Sequence, residues 1–184
     1  RSPYAYSKLL SHFATKNYRE AYGLFACSGI LFNHESVLRG EEFVTKKIVK
    51  ALVHYSFDRK NFKTVKLGNL YSKRDWGSAE EFVFGMWKIL QMKKPDDYII
   101  GTGTSISVKE FINISMNCLN LNNFKWKGKG KNESLIYNGD NIFSIDPNFF
   151  RKTEVDRLKC DVKETYIKLK WKPKIYNRKL ILQK

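Results

Sequence analysis

Segments whose apolar residues recur every three or four positions alternate along this chain with short apolar or every-other-residue runs, and that alternation leaves few folds open. Pro3 suits the first turn of a helix reaching about Tyr22, with Tyr6, Leu10, Phe13, Ala14 and Tyr18 at helical spacing, and Gly23 ends it. Residues 24–32 read as a buried strand. Phe43, Val44, Ile48, Ala51, Leu52 and Tyr55 place a second helix over 41–56, and 63–68 alternates as a strand. Phe82, Val83, Met86, Trp87 and Leu90 share one face of a helix over 78–92, and 97–100 is a short strand. Ser107 with Glu110 forms a capping box for a helix reaching about Leu119. Asp161 is placed to cap a late helix that stops before Trp171, because Pro173 cannot continue it. Strands alternating with helices imply an α/β chain built from βαβ units with a mostly parallel sheet.

Composition narrows the function classes. With 42% hydrophobic and 15% aromatic residues in 184, the chain can bury a real core. Three separate cysteines, Cys27, Cys118 and Cys160, show neither a disulfide framework nor zinc-ligand spacing, so a reducing, cytoplasmic compartment and no metal are expected. The longest apolar run, 26–32, is broken by Ser28 and Gly29 and falls far short of a bilayer span, so no membrane association is expected. The net charge of +16 suggests a polyanion partner, and residues 125–184 alone carry 16 basic against 7 acidic side chains. Lysine supplies most of it, whereas base and phosphate forks favour arginine, so a solvated surface that attracts an anionic small molecule is expected rather than nucleic acid. Residues 117–141, rich in Asn, Lys and Gly, read as a surface loop.

Tyr4 and Lys8 stand one helical turn apart. An ammonium beside a phenol favours the phenolate, which is the chemistry of a carbonyl/alcohol redox site. Spacing alone is not decisive, since Tyr166 and Lys170 repeat it. The surroundings are more specific: Asn17-Tyr18-Arg19-Glu20-Ala21-Tyr22-Gly23, Asn33-His34-Glu35-Ser36, Leu38-Arg39-Gly40, Phe43-Val44-Thr45-Lys46-Lys47-Ile48, Leu67-Gly68-Asn69-Leu70, Lys73-Arg74-Asp75-Trp76-Gly77, Phe150-Arg151-Lys152-Thr153-Glu154-Val155-Asp156 and Trp171-Lys172-Pro173-Lys174. In that order they resemble the GDP-mannose 4,6-dehydratases, a family of extended short-chain dehydrogenase/reductases.

The resemblance implies a Rossmann-like cofactor domain, here about 1–32 and 64–104, with a smaller nucleotide-sugar region, about 33–63 and 105–184. It implies NADP as cofactor and conversion of GDP-mannose to GDP-4-keto-6-deoxymannose by C4 oxidation, C5 proton removal, loss of water from C6 and return of the hydride to C6. Tyr4 would be the acid/base on the C4 hydroxyl, and Lys8 would tune it and hold the nicotinamide ribose. His34 and Arg39 match positions near the cofactor. Asn33, Lys47, Arg74, Arg151 and Glu154 match positions that hold the nucleotide sugar. The chain differs from the family in Leu38, where the family pairs two arginines in a loop that reaches a neighbouring subunit, in Lys46 for an arginine, and in Lys152 for a proline. A homodimer or homotetramer is implied.

The strand, glycine-rich turn and helix that bind a dinucleotide pyrophosphate are not in this sequence. Gly101-Thr102-Gly103-Thr104 lacks the third glycine and the later acidic residue, so it reads as a strand-to-helix loop. The expectation is therefore the C-terminal half of a longer enzyme, inactive alone because the family's catalytic threonine or serine and its glutamate base lie upstream. Three alternatives stay open: another nucleotide-sugar epimerase or dehydratase, a non-catalytic basic nucleic-acid-binding module, or a degenerate scaffold that keeps the fold without turnover.

Overall fold

The computed structural model describes residues 2–150, 153 and 155–183. In chain order the elements are α1 (Pro3–Tyr22), β1 (Ser28–Leu31), β2 (Asn33–Glu35), α2 (Val44–Phe57), β3 (Val65–Leu67), β4 (Lys73–Arg74), β5 (Trp76–Ser78), α3 (Ala79–Leu90), β6 (Asp97–Ile100), β7 (Ile106–Ser107), α4 (Val108–Cys118), β8 (Lys125–Lys127), β9 (Ser134–Tyr137), β10 (Asp140–Ile145), α5 (Lys163–Leu169) and α6 (Arg178–Leu182). The expected helices and strands are present, but the 24–32 segment is not buried, with Leu24, Phe25 and Ile30 exposed. The first strand is shorter than the 24–32 run, and α5 starts after Val162, with Asp161 accepting from the Lys163 N–H at 3.2 Å.

Two bodies result. In the first, β1 and β6 pair in parallel, Ser28 beside Asp97 through Leu31 beside Ile100. Alternation along β6 sends Tyr98 and Ile100 to the face covered by α3 and α5, where they join Phe82, Ile89 and Leu169 in a small core. Asp97 lies on the opposite face, under α1. There the Arg19 guanidinium grips the Asp97 carboxylate with two hydrogen bonds of 2.9 and 3.2 Å and donates to the Ala26 carbonyl at 3.2 Å. The His12 ring sits 3.2 Å from the Ser28 hydroxyl. Ser2 caps α1 by accepting from the Ala5 N–H, and Gly23 closes it in the left-handed region at φ 65°.

The α1 face differs from the sequence expectation. Tyr6, Leu10, Phe13 and Tyr18 are exposed, and the half-buried positions are His12, Thr15 and Arg19. The polar stripe is the one laid on the strands, held by charge rather than by apolar packing.

The second body is a four-stranded mixed sheet, β3-β10-β9-β8, packed against α2, α4 and α6. Its core joins Ile48, Leu52, Phe111, Ile112, Met116, Leu135, Ile142, Phe143 and Leu180, all essentially inaccessible. The 117–141 region is thus a correction to the loop reading, since it supplies β8 and β9, which pair antiparallel from Lys125 beside Ile136 to Lys127 beside Ser134. Three polar anchors fix it. Trp126 donates to Asn113 on α4 at 2.9 Å, while the buried Glu133 carboxylate pairs with Lys109 and accepts from the Tyr71 hydroxyl at 2.6 Å. The 64–104 segment is shared between the bodies, with β3 in the mixed sheet and β6 beside β1.

Candidate functional site

The arrangement of α1 follows from its contacts. Arg19 reaches Ala26 and His12 reaches Ser28, so α1 runs antiparallel to β1 and its first turns extend toward the carboxyl end of the parallel strands. That end is where open α/β sheets bind ligands. Tyr4, 71% exposed, lies in the first turn, and the Lys8 ammonium stands 5.5 Å from its ring centre. The helix therefore brings this pair together on one open face.

Strand β1 runs directly into β2, which carries Asn33 and His34 beside Trp76 and Gly77 of β5. His34 is half-buried, its Nδ1 3.0 Å from the Phe32 carbonyl and its ring tilted against Phe82. Arg39 folds back over the Phe43 ring at 3.4 Å, and its Nε lies 3.6 Å from the buried Glu35 carboxylate. That Nε is buried with no hydrogen-bond partner among the described residues. Glu35 is also held by the Thr45 hydroxyl at 2.6 Å, so a cation and its counter-charge are fixed where α2 begins.

Lys47 projects from α2 and donates to the Lys66 carbonyl of β3 at 2.8 Å. It also lines a groove of about 650 Å³ between α2 and β3, with His54, Phe62 and Val65. Arg74, on β4, donates to the Lys73 and Val155 carbonyls at 2.9 and 2.7 Å, and the Leu158 N–H returns to the Lys73 carbonyl at 3.0 Å. The segment after residue 154 is thereby strapped along β4. Arg151 and Glu154 lie outside the described residues. Among the described residues no hydrogen bond or ring contact joins Tyr4 or Lys8 to His34, Lys47 or Arg74. Tyr4 and Lys8 lie toward the carboxyl end of β1, where Asn33 and His34 follow, while Lys47 stands on α2 and Arg74 on β4.

One residue that motif reading passed over organises the junction. Asp75 follows Arg74, is fully buried, and accepts four hydrogen bonds among the described residues. Its Oδ1 accepts from the Thr102 N–H and hydroxyl at 2.9 and 2.8 Å, and its Oδ2 from the Gly103 N–H at 2.9 Å and the Cys160 thiol at 3.0 Å. Burial first, and then this carboxylate, push the Cys160 thiol up to about 12. The Gly101-Thr102-Gly103-Thr104 turn thus commits two backbone donors to an internal carboxylate and works as a loop, not as a phosphate cradle. The signal was available in sequence only as an acidic residue inside an otherwise basic and aromatic motif.

The comparisons agree with this architecture. The sequence model of the GDP-mannose 4,6 dehydratase family matches residues 1–183. GDP-mannose 4,6 dehydratase 1 of Arabidopsis thaliana is 48% identical over 183 residues, covering 98% of this chain and 45% of its own length. The Drosophila melanogaster GDP-mannose 4,6 dehydratase is 45% identical over 177 residues, covering 95% of this chain and 44% of its own length. The chain therefore spans about half the length of the curated relatives it matches. Among solved structures, RMD from Pseudomonas aeruginosa complexed with NADPH superposes with a TM-score of 0.78 at 15% identity, over 100% of this chain and 54% of that one. A dTDP-glucose 4,6-dehydratase from Bacillus anthracis in complex with NAD gives 0.74 at 18% identity, over 100% and 50%. These likenesses establish the extended short-chain dehydrogenase/reductase fold. With a family match running from residue 1 to residue 183, the chain belongs to the GDP-mannose 4,6-dehydratase family.

Proposed function

We propose that this chain carries the tyrosine/lysine and nucleotide-sugar-binding part of an NADP-dependent GDP-mannose 4,6-dehydratase, a hydro-lyase that makes GDP-4-keto-6-deoxymannose and water. The observation that supports it most directly is the Tyr4 and Lys8 pair, 5.5 Å apart on an exposed helix face at the carboxyl end of the parallel strands, within a chain matched to this family almost throughout. In this reading Tyr4 exchanges a proton with the C4 hydroxyl. Lys8 holds the phenol in place electrostatically and donates to the nicotinamide ribose. A bound nicotinamide supplies acceptance of the C4 hydride and its later return to C6.

The residues fit one end of that cofactor. Tyr4 and Lys8 present an open proton-exchanging face, and the half-buried Arg39 guanidinium is held beside Glu35 where α2 begins, but the turn at 101–104 already serves Asp75. The glycine-rich pyrophosphate cradle, and with it the groups that remove the C5 proton and release the C6 hydroxyl, are therefore proposed to come from further polypeptide. The uncovered apolar face of α1 supports such a partner, whether from the same subunit or from a second subunit of a homodimer or homotetramer.

On the nucleotide side, Asn33, Lys47, Arg74, Arg151 and Glu154 are proposed to hold GDP-mannose, the cations on the diphosphate and the carboxylate on a sugar hydroxyl or the guanine edge. A reducing cytoplasmic setting is proposed from the unpaired cysteines.

The test is to supply the full native polypeptide with GDP-mannose and NADP and follow the 4-keto-6-deoxy product. Tyr4→Phe should lower turnover by roughly 10²- to 10⁴-fold while GDP-mannose binding is kept. Undiminished turnover in Tyr4→Phe would remove the tyrosine from the chemistry.

A further inference from the structure

Phe149 combines a pinned backbone with an open ring. It closes a single helical turn, Pro147–Phe149, whose entry is tied to the end of β3 by the Asp146 N–H donating to the Leu67 carbonyl at 2.8 Å. Within the turn, the Asn148 N–H donates to the Asp146 carboxylate at 3.0 Å. On the other side, Gly68 lets the Phe149 backbone come so close that a Cβ at residue 68 would lie 2.7 Å from the Phe149 carbonyl oxygen. The backbone is therefore held between strand and glycine, yet 52% of the residue is exposed. A half-exposed aromatic ring carried on a pinned main chain offers a face to a flat partner.

Its surroundings indicate which partner. The Lys47 ammonium stands 4.8 Å from the ring centre, hydrogen-bonds the Lys66 carbonyl of β3 and lines the groove between α2 and that strand. Ring, cation and groove thus meet at one side chain, which suits a ligand with a flat base joined to an anionic tail.

We propose that Phe149 is the platform on which the base of a purine nucleoside diphosphate stacks, with Lys47 over one face of the ring supplying charge and the base taking the other face. This rests on the nucleotide-sugar reading above and deepens it by naming a specificity-determining residue. A purine overlaps a phenyl ring over more area than a pyrimidine does, so the platform favours GDP over UDP.

The test is GDP, UDP and inorganic pyrophosphate affinity by calorimetry on the full native polypeptide, with Phe149→Leu and Phe149→Tyr beside wild type. Leucine keeps the apolar bulk over Gly68 but removes the π face, and tyrosine keeps both. Stacking is worth about 1–3 kcal/mol per base, so Phe149→Leu should lose roughly tenfold in GDP affinity, with pyrophosphate unchanged and the GDP preference over UDP reduced. Phe149→Tyr should retain wild-type affinity. Equal GDP affinity in wild type and Phe149→Leu overturns the platform and leaves the proposed function standing. Parallel losses for GDP and pyrophosphate also overturn it, marking Phe149 as a support for the anion site. A wild-type protein that binds no GDP overturns the functional reading, and the platform with it.

Discussion

The two bodies of the molecule are stabilised by different means. The mixed sheet with α2, α4 and α6 closes around a continuous apolar core in which Phe111, Ile112 and Met116 face Leu135, Ile142 and Phe143. The β1–β6 layer buries a smaller cluster under α3 and α5, while α1 rests on the strands through His12 and Arg19 with no buried side chain among the described residues. Burial of apolar area is non-directional, whereas a bidentate guanidinium–carboxylate pair is geometrically exacting. The mixed-sheet side is thus held by volume, and the helix bearing Tyr4 and Lys8 is held by direction.

Removing volume should hurt most on the first side. Phe111→Ala should cost about 3–5 kcal/mol of stability in a urea titration, while Leu10→Ser on the open face of α1 should stay within about 0.5 kcal/mol. Comparable costs for the two would erase the contrast. At the junction, Asp75→Asn points an amide donor at one set of donors, the Gly103 N–H and Cys160 thiol or those from Thr102, leaving buried groups unpaired at about 1–3 kcal/mol each. Its signature is Cys160, normally shielded by burial and a raised pKa, becoming open to alkylation at pH 8.

The loss at the α1 clamp should be smaller than those in the core and at the junction, and the most localised. Arg19→Met should cost about 1–2 kcal/mol and speed amide exchange across residues 3–22, with α2 and α4 protection unchanged. Faster exchange throughout would mean that α1 docking and the main core are one cooperative unit. The same clamp gives a pH dependence. The Arg19 guanidinium, as the leading cause, holds the Asp97 carboxyl below its ordinary value. A depressed carboxyl contributes stability fully above the unfolded value of about 3.9, and loses it as pH falls through the lower folded value. Protection of α1 amides should therefore hold at pH 5 and fade in stronger acid.

Local chemistry was legible and long-range cover was not. The Ser107 and Glu110 capping box is present with both of its hydrogen bonds, because a cap is decided within four residues. The Tyr4 and Lys8 pairing was equally legible, since one helical turn guarantees proximity. Periodicity identified Tyr6, Leu10, Phe13 and Tyr18 as a face that gains from burial, but it carries no information on what covers that face, and here the packed stripe is the polar one. Residues 117–141 were misread for a related reason. Lys125-Trp126-Lys127 has strand alternation with a single apolar residue, and its place is set by Asn113, Lys109 and Tyr71, remote in sequence. Asp75 was hidden likewise, its partners lying 27, 28 and 85 positions away.

The bond from Lys47 to the Lys66 carbonyl has a consequence for life in a crowded solution. Strand β3 borders its sheet, and β8, with Lys125 and Lys127 exposed, borders the other side. Bare borders invite a second chain to add a strand, and lysines are the usual deterrent. On β3 the ammonium occupies the very carbonyl that an intruding strand would need. Lys47, Lys125 and Lys127 thus guard both borders of this sheet against strand addition, and the guard on β3 is the same side chain that lines the groove beside α2.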